Sequence, residues 1–146
     1  MKSSLKVSSH LLEEKYKYYS LGEEEKGAVL SRIREVLEKH DVKLTIIFGS
    51  FLNGDVFRDI DIAIYSEKLN LDELLKLGVE LELGLGIPVD LAPLDNLPPK
   101  FRLNILRRGI IITEKPGIYE YLYMRAQDEL ILMKSQSTKK SSRNKA

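Results

Sequence analysis

Two aspartates two residues apart, Asp59 and Asp61, follow a Gly49-Ser50 pair after an eight-residue spacer, and a third, Asp90, lies further on between Val89 and Leu91. On a strand, residues i and i+2 lie on one face with their Cα atoms about 7 Å apart, so the first two carboxylates can converge on one or two divalent cations. Gly-Ser ahead of a short helical turn offers backbone N–H groups and a hydroxyl to a phosphate. A phosphate cradle beside hard oxygen ligands suits a metal–nucleotide complex. The plainer alternatives are a wet face of an edge strand for Asp59 and Asp61 and a helix N-cap for Ser50.

The flanking pattern supplies elements that position these groups. Leu44 to Phe48 is a short apolar run closed by glycine, the pattern of a buried strand. The Asp-Ile-Asp run alternates, with Ile60, Ile62 and Ile64 on one face and Asp59, Asp61 and Ala63 on the other. A third strand from Pro88 to Ala92 puts Asp90 on the face of Pro88 and Ala92, so it can share a cleft with the other two aspartates if the strands are neighbours. Ile110 to Thr113 is a fourth strand.

Helices fill the intervals. Ser20 with Glu23 reads as a capping box opening a helix to about Lys39, and Asn70 with Glu73 as another running toward Gly84. Pro98-Pro99 opens a third helix that Gly109 closes. Pro116 starts a long one through about Lys134, in which Tyr119, Tyr121 and Tyr123 serve packing. A short helix over Leu11 to Tyr19 is expected in an N-terminal segment, residues 1–20. The folded domain covers residues 21–134, followed by a basic, disordered tail over residues 135–146. The fold class is α/β (α+β): a small, twisted, mixed sheet of about four strands, with helices mainly on one face and the carboxylates on the other.

Composition bounds the function. The 146 residues contain no cysteine, which excludes disulfides and thiolate metal sites and fits a cytoplasmic protein. His10 and His40 are too few for a usual zinc site. No apolar run has the length of a membrane span, and Met1 leads into no signal-like core. Net charge is +1, but residues 130–146 hold five basic residues and no acid. The rest of the chain is therefore net acidic, a poor non-specific binder of nucleic acid.

Gly49-Ser50, Asp59-Ile60-Asp61 and Val89-Asp90-Leu91 together resemble the minimal nucleotidyltransferases (MNT) of the DNA polymerase β superfamily, from about Glu23 to Asp128. The resemblance implies Mg²⁺-dependent transfer of AMP from ATP to a hydroxyl. Asp59 and Asp61 would hold one Mg²⁺ on the triphosphate, and all three aspartates would hold a second near the acceptor. Asp90 would assist deprotonation, and Gly49 and Ser50 would grip the β- and γ-phosphates. The family often carries an arginine after Gly-Ser, where this chain has Phe51-Leu52-Asn53-Gly54, and Arg58 is the candidate to replace it. The resemblance also implies a partner, a HEPN-domain toxin silenced by AMP transfer to a tyrosine, so the chain would be the antitoxin, in a homo- or hetero-oligomer. Two other classes fit: a catalytically quiet nucleotide-binding antitoxin acting by contact, and a small-molecule nucleotidyltransferase.

Overall fold

The computed structural model describes residues 17–145, with side chains through Gln136. Its elements are α1 (Glu23–Leu37), β1 (Leu44–Phe48), α2 (Ser50–Asn53), β2 (Ile60–Tyr65), α3 (Leu71–Leu85), β3 (Val89–Pro93), a 3-10 turn (Leu94–Asn96), α4 (Pro99–Arg108), β4 (Ile110–Glu114) and α5 (Ile118–Lys145). The four strands form one sheet in the order β3-β2-β1-β4. β1 runs antiparallel to β2 and β4, while β2 and β3 are parallel, so the sheet is mixed as the sequence implies.

Alternation along the strands sorts the side chains into two layers. Ile47, Ile60, Ile62, Ile64 and Ile112 pack with Val29, Ile33 and Leu37 of α1 and Leu74, Leu77 and Leu81 of α3. On the other face Leu44, Ile46, Ala63 and Tyr65 pack with Leu94, with Ile105 and Leu106 of α4, and with Leu122 of α5. This second layer covers only part of its face. The three strands β1, β2 and β3 cross it in register, from Leu44 and Tyr65 through Ile46, Ala63 and Ala92 to Phe48, Asp61 and Asp90. The last row lies at the open end.

Helix ends follow local chemistry with some shifts from the sequence reading. α1 is capped by Gly22, whose N–H donates to Glu25 Oε1 at 3.1 Å, rather than by a Ser20–Glu23 box. Ser20 is displaced from the cap because its neighbour Tyr19 is drawn into a bridge with Phe57, through Tyr19 N–H to Phe57 O at 2.7 Å and Phe57 N–H to Tyr19 O at 3.0 Å. That pairing also replaces the helical end expected for Leu11–Tyr19; the earlier residues of that stretch lie outside the described ones. The Asn70–Glu73 box is formed, with Glu73 N–H donating to Asn70 Oδ1 at 2.8 Å and Asn70 N–H to Glu73 Oε1 at 3.2 Å. α5 continues to Lys145, through the segment read from sequence as a disordered tail. Residues 118–145 contain neither glycine nor proline, and their lysine, glutamine and arginine content favours helix.

α4 and α5 are tied together by polar bonds as well as by the apolar layer. The guanidinium of Arg102, only 4% exposed, donates to both carboxylate oxygens of Glu129, at 3.1 and 2.6 Å, and holds that carboxyl below its usual range. Tyr119 donates to Leu106 O at 2.7 Å, and Arg107 Nε donates to Tyr123 Oη at 2.6 Å. Tyr119 and Tyr123 thus pack and brace as expected, whereas Tyr121, expected to pack with them, is exposed.

Candidate active site

Gly49 joins β1 to α2 with φ +83°, a left-handed conformation that few side chains tolerate. A Cβ at this position would also collide with the carboxylate of Asp61. The glycine is therefore needed twice: to turn the chain, and to let Asp61 approach the turn backbone. Phe51, 1% exposed, anchors the turn in the core, its ring edge-on to Phe57 at 5.0 Å. Gly54 N–H donates to Ser50 O at 2.8 Å and closes the single helical turn. Ser50 itself is exposed, at the N-terminus of α2, where the first N–H groups lack partners within the helix.

β2 and β3 bring the carboxylates together. Asp61 and Asp90 are register partners on parallel strands, on the face opposite Ile60 and Ile62. Asp59, just before β2, is near enough for its charge to act on Asp61. The Asp61 carboxyl is pushed up to about 6, first by burial and then by the negative charges of Asp59 and Asp90. A cation in this corner would relieve that repulsion, and the donors are the hard oxygens that Mg²⁺ prefers. Among the described residues, however, no three carboxylates are gathered into a ready-made cage. The arrangement fits Mg²⁺ held by one or two carboxylates with substrate phosphates completing its shell, the common mode for that ion.

A cleft of about 360 Å³ opens beside Asp61. Its walls include Gly49 and Asn53 on one side and Phe101, Asn104 and Arg108 of α4 on the other. Phe101 stands edge-on to Phe48 with ring centroids 6.0 Å apart, so α4 is fixed as the cleft's far wall. Arg58 is not among the lining residues; its guanidinium lies over the ring of Tyr18, 6.0 Å from the centroid. Of the six residues singled out by sequence, Gly49 and Asp61 line the cleft, Asp90 and Asp59 neighbour Asp61 and Ser50 follows Gly49 without lining it, and the guanidinium of Arg58 lies over Tyr18. The α4 wall was missed. Phe101, Asn104 and Arg108 recur at helical spacing, but a polar helix face gives no sign in sequence of whether it meets solvent or a cleft.

A strand–Gly-Ser–turn–strand unit with paired aspartates, and a third in register, is a nucleotide-handling geometry. The family model described as Polymerase beta, Nucleotidyltransferase matches residues 31–117. The chain belongs to this nucleotidyltransferase family. A Methanocaldococcus jannaschii protein, provisionally named protein adenylyltransferase MJ0435, is 34% identical over 82 residues, 54% of this chain and 88% of that protein. Among solved structures, the MntA-HepT toxin-antitoxin has a TM-score of 0.64 at 17% identity, covering 82% of this chain and 99% of the other. A Shewanella oneidensis structure of a tri-AMPylated HEPN toxin with its MNT antitoxin gives 0.65 at 18%, covering 83% and 99%. A toxin-antitoxin structure with AMP-PNP gives 0.65 at 20%, covering 80% and 98%. At such identities the likeness is one of fold. This nucleotidyltransferase has no helix, among the described residues, long and apolar enough to cross a membrane.

Proposed function

We propose that this nucleotidyltransferase moves AMP from ATP to a hydroxyl of a partner protein, with a tyrosine of a HEPN-domain toxin as the acceptor. The observation that carries the chemistry is the in-register pair Asp61 and Asp90 beside a glycine turn that only glycine can make. The name of the Methanocaldococcus relative supports protein adenylylation, and the toxin-antitoxin neighbours support the partner.

In this reading Asp59, Asp61 and Asp90 would hold Mg²⁺, which when bound offsets triphosphate charge and favours departure of pyrophosphate. Gly49 and Ser50 direct N–H groups at the β- and γ-phosphates. The acceptor oxygen attacks the α-phosphorus, the bond to the bridging oxygen breaks, and pyrophosphate leaves. The acceptor's proton passes to Asp90, which is exposed at the edge strand and so accessible to an incoming chain.

The test is incubation of the purified chain with labelled ATP, Mg²⁺ and a co-expressed HEPN protein, followed by mass spectrometry of the acceptor. A mass gain of AMP on tyrosine, lost in Asp59→Asn/Asp61→Asn, is the expected result. Neutralisation of the toxin by the double variant with no mass gain would show action by contact instead.

A further inference from the structure

We propose that Arg108 holds the β- and γ-phosphates of the nucleotide in the cleft beside Asp61, an assignment that rests on the nucleotidyl-transfer reading above. The charged residues lining this cleft are Asp61 and Arg108. A triphosphate brings about four negative charges, and its departing end needs N–H donors or a cation at fixed positions. The glycine turn supplies N–H groups but no cation.

The other arginines with described side chains are engaged elsewhere. Arg32 pairs with Glu35, and Arg34 donates to Ile112 O. Arg58 lies over Tyr18, Arg102 is forked onto Glu129, Arg107 donates to Tyr123, and Arg125 pairs with Asp95 and Glu129. Arg108 has no hydrogen bond or ion pair among the described residues. A cation in the last turn of a helix suits the helix dipole, but that leaves the five guanidinium donors unspent. Those donors match phosphate oxygens in pairs.

The backbone beside Arg108 is also fixed. Gly109 ends α4 in an extended conformation with φ −74°, so its role is not a left-handed turn. A Cβ there would meet Ile47 O at 2.9 Å and collide with the side chain of Ile46. This close seat holds the end of α4 against the last residues of β1, one step from Phe48 and Gly49. Arg108 and Gly49 line the same cleft, so the guanidinium shares it with the turn assigned to the β- and γ-phosphates. Asn104, one turn earlier, lines the same wall and adds an amide to it.

Calorimetry with Mg·ATP and with AMP distinguishes this role from a general charge effect. Arg108→Ala should weaken Mg·ATP by about tenfold, or ~1.4 kcal/mol, leave AMP binding unchanged, and melt like the wild type because the side chain is exposed. Arg108→Lys should recover part of the loss, and Arg58→Ala, which removes the same charge outside the cleft, should bind as wild type does. Unchanged Mg·ATP binding in Arg108→Ala, or equal losses for ATP and AMP, overturns the assignment. Wild-type protein that binds neither nucleotide, with or without Mg²⁺, overturns the transfer reading itself and the assignment with it.

Discussion

The two faces of the sheet are built from the same four strands and do opposite jobs. On one, α1 and α3 seal a layer in which Ile33, Ile47, Ile60, Ile62 and Leu81 are wholly buried. On the other, α4 and α5 cover Leu44, Ile46 and Ala63 but stop short of Asp61 and Asp90. β2 and β3 therefore bury one set of alternate residues in the sealed layer and carry the candidate carboxylates on the other face. The separation lets Asp61 lie within reach of the charges of Asp59 and Asp90. Their repulsion acts at a half-open edge, where water and an incoming cation can reach them, while the sealed face holds the geometry.

The sharpest way to break this division is to change one face and read both properties. Asp59→Asn with Asp61→Asn should lower AMP transfer by at least about a thousandfold, ~4 kcal/mol in the barrier, with the far-ultraviolet spectrum and melting cooperativity kept. Loss of folding in this variant would mean that the carboxylate row also carries structure. The converse change is Leu81→Ala in the sealed layer, where the side chain is 0% exposed. It should cost about 2–5 kcal/mol of stability, the usual range for emptying a leucine site, while the remaining folded protein transfers AMP at the normal rate per molecule. A denaturant titration paired with the transfer assay at low temperature reads both.

The sealed face is the part that sequence displays well. Ile60-Asp61-Ile62-Ala63-Ile64 states its own strand and its two faces, and Asp90 shares its parity with Pro88 and Ala92, opposite Val89 and Leu91. The Asn70–Glu73 box and the Pro99 helix start are equally local. Less legible is anything set by a distant contact. Tyr19 bridges Phe57, so the N-terminal cap moves to Gly22. The α4–α5 pair lies across the second face because Arg102 meets Glu129 and Ile105 meets Ile46 and its neighbours, contacts between segments far apart in the chain. The α4 wall of the cleft was hidden for that reason. The placement of Arg58 was not legible, because its nearness in sequence to Asp59 says nothing about Tyr18, the ring its guanidinium covers.

A smaller effect tests the strain carried by the open face. The Asp61 carboxyl is raised from 3.8 to about 6, so the folded state binds its proton more tightly than the unfolded chain does. The associated stability is present below pH 3.8 and is lost as pH rises through about 6. Asp61→Asn never ionises and escapes this loss. Asp61 is partly exposed, and screening by water reduces the benefit to about 1 kcal/mol. In a chelator, Asp61→Asn should therefore melt with the wild type at pH 3.5 and above it at pH 7.5. A gain of the same size at both values would locate its cause in packing.

The smallest expected effect separates two arginines that differ in placement. Arg58 is exposed and its guanidinium stands over Tyr18, 6.0 Å from the ring centroid, at the end of the chain segment that bridges Phe57. An exposed contact of this kind is worth about 0.5–1 kcal/mol. Arg58→Ala should therefore lower stability by no more than that and leave the transfer rate within about twofold, ~0.4 kcal/mol, because the side chain does not line the cleft. Tyr18→Ala should reproduce the stability loss, and the double variant should lose little more than either single one, since both remove the same contact. A tenfold fall in transfer for Arg58→Ala with unchanged stability would instead place Arg58 at the phosphates. The open face would then extend past the strand end to a side chain that this structure turns toward Tyr18.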